Sequence, residues 1–83
     1  MILRSASMLR SVASMLANGD AERIEAAWAH LKKGPLVMEL YRRHPDQLSA
    51  IVSFARMRAA GTLTGGDAGY AEMTAKVAAE VKD

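Results

Sequence analysis

The stretch HPDQLSAIVSFARMRAAG, residues 44–61, decides the fold. Its ends are marked. His44 precedes a proline, which biases it away from helix. Pro45 suits a first helical turn, where a missing N–H costs nothing, and Gly61 supplies a stop. Between them Leu48, Ile51, Val52, Ala55 and Ala59 recur at helical spacing. Phe54 and Met57 widen that stripe to one side, and only Ser49, Ser53 and Arg56 form a clear polar strip. A helix this apolar packs on more than one side. The pattern predicts a helix over about 46–60 at the hub of an all-α core.

The flanking segments carry the same punctuation. Upstream, Gly34-Pro35 opens a short helix over about 35–43 with Leu36, Val37, Leu40 and Tyr41 as its stripe, and Glu39 placed to pair with Arg43. Before it, Asp20 caps a helix over about 21–33. That helix carries Glu22 and Glu25 near its positive end, Lys32 and Lys33 near its negative end, and an inner stripe of Ile24, Ala27, Trp28 and Leu31. The first helix, about 3–17, contains a seven-residue repeat: Ala6-Ser7-Met8-Leu9 returns as Ala13-Ser14-Met15-Leu16. Met8, Leu9, Val12, Ala13, Met15 and Leu16 then share one face, opposite Ser7, Arg10, Ser11 and Ser14. Asn18-Gly19 is expected to end it in a left-handed residue. Downstream of Gly61, a flexible loop at 62–66 leads to a last helix over about 67–81, capped by Thr64 or Asp67. Its inner face is Tyr70, Met73, Thr74, Val77, Ala78 and Val81, with Glu72–Lys76 and Lys76–Glu80 pairs facing water. Links this short favour antiparallel neighbours, so the expected architecture is a compact bundle of four to five short helices.

Composition sets the bounds. At 83 residues the chain makes a single domain, 1–83, with a thin core. Much of its apolar content is Ala, which favours helix but fills little volume. The absence of Cys removes disulfides and thiolate chemistry and fits a cytoplasmic location. Residues 1–19 hold Arg4, Arg10 and several Ser but no acid, as mitochondrial presequences do. Mitochondrial import is therefore the alternative to reading them as an ordinary amphipathic helix. No uncharged stretch approaches the length that spans a bilayer, so a membrane is not among the expected partners.

Specific chemistries fail one by one. Gly61 to Gly66 spaces glycines as a phosphate-binding loop does, but Asp67 and Ala68 stand where Lys and Ser or Thr are needed. His30, His44, Glu39 and Asp46 lack the spacing of a metal site. No serine sits in a nucleophile elbow, and no base is placed beside one. The expectation is a protein that is not an enzyme and takes no cofactor, no metal and no small-molecule substrate.

What remains is an interaction surface. The net charge is only +2, but Lys32, Lys33, Arg42, Arg43, Arg56 and Arg58 crowd the middle of the chain against Glu39 and Asp46. Val37, Met38, Phe54 and Met57 exceed what a thin core absorbs. These features point to a small helical protein–protein interaction module: an adaptor, an antitoxin-like partner or an inhibitor of the kind phages and plasmids encode. Its partner would be another protein or a second copy of itself. The expected contact residues are Tyr41, Arg42, Arg43, Phe54, Met57 and Arg58. The alternative is a nucleic-acid binder using Lys32, Lys33, Arg42, Arg43, Arg56 and Arg58. It is the weaker one, because the 35–43 helix is too apolar to read base edges.

Overall fold

In a computed structural model that describes residues 4–82, the helices occupy the five expected segments. They are α1 (Ser5–Met15), α2 (Ala21–Leu31), α3 (Pro35–Arg43), α4 (Pro45–Ala60) and α5 (Gly66–Ala79). The described residues are all-α. Their radius of gyration is 11.9 Å, against the roughly 12 Å expected for a folded chain of this length. The start of α1 near Leu3, expected from the pattern, lies outside the described residues.

The helix α4 is the hub. It packs against all four of the others, while α1 also meets α5 and α3. Leu48, Ile51, Val52 and Ala55 are buried along it. They meet Leu9, Val12 and Leu16 of α1 and its C-cap, Ile24 and Trp28 of α2, Leu40 of α3, and Tyr70, Val77 and Ala78 of α5 in one core. Burial of each Leu or Ile at this depth contributes about 1.5–3 kcal/mol.

Several flanking residues fall outside the core. Met15, Leu36, Tyr41 and Met73 are exposed, although each belongs to an expected stripe. They sit roughly a quarter-turn from the centre of their helix's buried arc, at the margin of what a neighbouring helix covers. The seven-residue repeat puts Met8 and Met15 on the same margin of α1; Met8 is half-buried and Met15 is not.

The helix ends correct two expectations. No left-handed residue ends α1, since among the described residues the only positive φ values belong to Gly61, Gly65 and Gly66. Instead, Leu16 N–H donates to the Val12 carbonyl and Ala17 N–H to that of Ser14. Neither Thr64 nor Asp67 caps α5; its N-cap is Gly65, which has no side chain to accept a bond. Asp20 does cap α2, accepting from Arg23 N–H at 2.8 Å.

The α4–α5 link is also more ordered than a flexible loop. Gly61 closes α4 in the left-handed conformation, with its N–H on the Arg58 carbonyl and Thr62 N–H on that of Met57. Leu63 then turns into the core. The loop folds so tightly over α5 that a Cβ at Gly69 would lie 2.1 Å from the Thr64 carbonyl oxygen.

Two glycines therefore test two different constraints. Gly61→Ala has free space but a φ of 75°, and is expected to cost about 1–2 kcal/mol. Gly69→Ala has no space and is expected to cost about 3 kcal/mol, at the upper end for overpacking. Urea denaturation followed by far-UV circular dichroism measures both. A Gly69→Ala loss smaller than that of Gly61→Ala would refute the close approach.

Candidate interaction surface

The helix α3 is an edge element. Of its nine residues only Val37 and Leu40 are buried. Leu36 and Met38 are 57% and 58% exposed and Tyr41 is 45% exposed. Gly34-Pro35 starts the helix abruptly, and His44-Pro45 turns the chain into α4, so α3 lies against the hub with a narrow inner face. On one flank Lys32, Val37, Met38, Tyr41 and Arg42 line an open hollow of about 380 Å³.

Charge around this hollow is mostly positive. Residues 32–43 contain Lys32, Lys33, Arg42 and Arg43 against Glu39 alone. The Arg42 guanidinium holds both carboxylate oxygens of Glu39. That bonding pushes the Arg42 pKa up and the Glu39 pKa down, and the Arg43 charge lowers Glu39 further. The Arg42–Glu39 pair is an i, i+3 contact, which fixes the direction of one exposed cation.

The residues expected at a partner site do not all converge. Tyr41 and Arg42 border the hollow, and Arg43 is exposed on the same helix. Phe54 is half-buried against the core. Met57 is partly exposed but stands about 18 Å along α4 from its start at Pro45. Arg58 turns inward. Its side chain is 13% exposed and its guanidinium donates to the Gly19 carbonyl, meets Asp67 at 3.3 Å and sits 5.8 Å over the Tyr70 ring. Sequence offered no sign of this, since an Arg in a last helical turn reads as a complement to the helix dipole.

The alternative cationic set divides in the same way. Arg56 grips Glu25 of α2 through two bonds of 2.6 and 2.9 Å. That bonding, more than the Arg56 and Lys32 charges, lowers the Glu25 pKa, and it raises that of Arg56. Arg56 is thus ion-paired to α2 and Arg58 lies inside, so neither joins Lys32, Lys33, Arg42 and Arg43 at the α2–α3 end.

A second hollow of about 380 Å³ lies between α1 and α5, walled mainly by Ala13, Ser14, Ala17, Ala71 and Ala75. Its buried polar groups are already used: Tyr70 O–H donates to the Ala13 carbonyl at 2.6 Å, and Thr74 O–H to that of Tyr70 at 2.8 Å. Among the described residues no group of three or more His, Asp or Glu could hold a metal ion, and no helix is long and apolar enough to cross a membrane. Comparison with protein-family models, curated proteins and solved structures found no match.

Two consequences follow for Arg58 and Tyr70. Arg58→Ala removes a charged donor from a mostly enclosed site and is expected to destabilise the fold by about 2 kcal/mol. A urea midpoint within the error of the wild type would contradict this. Burial pushes the Tyr70 phenol up to about 12, with the Arg58 charge opposing. Because the folded-state value is raised above 10.0, the contribution of Tyr70 is complete below pH 10 and is lost as pH climbs towards 12. The stability gap between wild type and Tyr70→Phe, about 1 kcal/mol at neutral pH, should therefore shrink over that window. A gap independent of pH would show that the phenol is not held neutral by the fold.

Proposed function

We propose that the protein is a non-enzymatic helical interaction module that binds another protein through the outward face of α3. One observation supports this above the others. Of the six large apolar side chains left exposed among the described residues, Met38 and Tyr41 sit on one flank of α3 and line the same hollow, while Leu36 is exposed on the other flank. Exposed apolar groups scattered singly need no explanation, whereas a cluster rimmed by polar groups marks a binding surface. Met adapts its shape to a partner, and Tyr and Arg are the types that dominate binding energy. Met38, Tyr41 and Arg42 are the principal contacts in this reading, with Arg43 and Lys32 at the rim. Phe54 and Arg58 drop out of the contact set because the core and the α1–α2 link hold them.

An adaptor, an antitoxin-like partner or an inhibitor acts through such a surface, needing shape and charge but no catalytic group. The lack of Cys is compatible with a cytoplasmic setting. Nucleic-acid binding is less favoured, because Arg42, Arg56 and Arg58 of its cationic set are each paired with a carboxylate within the fold. Such a set is a short footprint for an interaction that draws its strength from many phosphate contacts.

The test compares the wild type with the double variant Met38→Glu, Tyr41→Glu. Both side chains are exposed, so each change should move stability by no more than about 0.5 kcal/mol. Affinity purification from the source cell after nuclease treatment should recover a protein partner with the wild type and lose it with the variant. Capture that disappears with nuclease, or falls steeply with salt, would favour nucleic acid instead. Identical recovery by both proteins would remove α3 as the contact site.

A further inference from the structure

We propose that the α3 hollow receives one large apolar side chain presented by an acidic protein segment; this rests on the interaction reading above and names the chemistry of the partner. Size is the first argument. A hollow of about 380 Å³ stands at the low end of sites that hold whole small molecules, about 300–1,000 Å³. Its lining residues span less than two turns of α3, from Val37 to Arg42, with Lys32 beside them. That length of wall accommodates a single anchor and its immediate neighbours.

Polarity separates the roles of floor and rim. Val37, Met38 and the Tyr41 ring give an apolar floor, and an unbranched Met can shift to fit the anchor. Lys32 and Arg42 stand at the edge. Carboxylates on either side of the anchor would meet these cations, which steers approach and rejects a basic segment. Glu39 occupies Nε and Nη2 of Arg42, which orients the Nη1 edge before binding and so lowers the ordering cost of using it.

Other occupants fit less well. A nucleic-acid backbone would leave the apolar floor without a role. A second copy of the chain would have to offer an acidic segment with an exposed apolar residue. Glu72-Met73 on α5 is the available pair, but Lys76 lies one turn away on the same exposed surface and is already bound to Glu72.

The probes are three short acetylated, amidated peptides. One has a central Phe flanked on both sides by Glu, the second has Lys for Glu, and the third has Ala for Phe. Each is titrated into the ¹⁵N-labelled full chain and followed by amide chemical shifts. The Glu–Phe peptide should move resonances of Lys32–Arg43 and bind at least about tenfold more tightly than either control. Lys32→Glu and Met38→Ala should each weaken it by about tenfold, with the circular dichroism unchanged. Four outcomes overturn the proposal: equal binding of the Lys peptide, shifts centred elsewhere, stronger binding of anionic vesicles or a single-stranded oligonucleotide, or concentration-dependent self-association that masks the same resonances. If the peptides fail while Met38→Glu, Tyr41→Glu still strips a protein partner in the purification test, α3 remains the contact site and only the acidic anchor falls. If both fail, both readings fall.

Discussion

Arg58 and Tyr70 together tie up the end of α1 and the link that follows it, and the arrangement of the remaining helices depends on that closure. A helix terminus leaves its last carbonyls without partners. In α1 no glycine in left-handed geometry meets this need. The Tyr70 phenol, brought in by α5, takes the Ala13 carbonyl, and the Arg58 guanidinium, brought in by α4, takes that of Gly19 a few residues on. The guanidinium lies over the Tyr70 ring and reaches Asp67 in the first turn of α5. One charged group thus joins α4, α5 and the α1–α2 link, in surroundings where water competes poorly for it.

That closure is compatible with α4 as a hub because the two ends of α4 do different work. Its C-terminal turn holds Arg58 and the glycine-capped bend into α5, while its N-terminal end follows directly from α3 through His44-Pro45. Helices α1, α2 and α5 crowd the long apolar face of α4, leaving α3 only enough contact to bury Val37 and Leu40. The exposed Leu36, Met38 and Tyr41 are therefore a consequence of the packing order. A nine-residue helix placed at the margin of a thin core cannot cover both flanks of its own stripe. The same margin gathers the cations at the α2 C-terminus beside those at the α3 C-terminus, where each is favoured by the local helix dipole. A place suited to a partner arises without any residue departing from ordinary helix chemistry.

Much of this was legible in the amino-acid order. Gly, Pro and Asp20 punctuate five apolar-periodic segments, and the helices follow them closely, because these signals act through local backbone geometry. The centrality of α4 was legible too, since only a helix packed on several sides tolerates so wide an apolar face. Part of the candidate site was legible: Tyr41, Arg42 and Arg43 were expected at a surface and are exposed together on α3. Phe54 and Arg58 were not separable from them by pattern. An aromatic at the edge of a stripe, or an Arg in a last turn, reads alike whether it faces a neighbouring helix or water.

Sequence by itself therefore determined the all-α class, the five helical segments and the wide apolar face that marks α4 as central, each legible from residues a few positions apart. Tertiary structure alone decided which stripe margins are covered, which cations are left at the surface and how α1 ends. Those outcomes hang on contacts such as Tyr70 with Ala13, Arg58 with Gly19 and Arg56 with Glu25, whose partners are 57, 39 and 31 residues apart. No local periodicity encodes a separation of that kind. It is fixed only when the helices pack and each buried polar group must find a partner within reach.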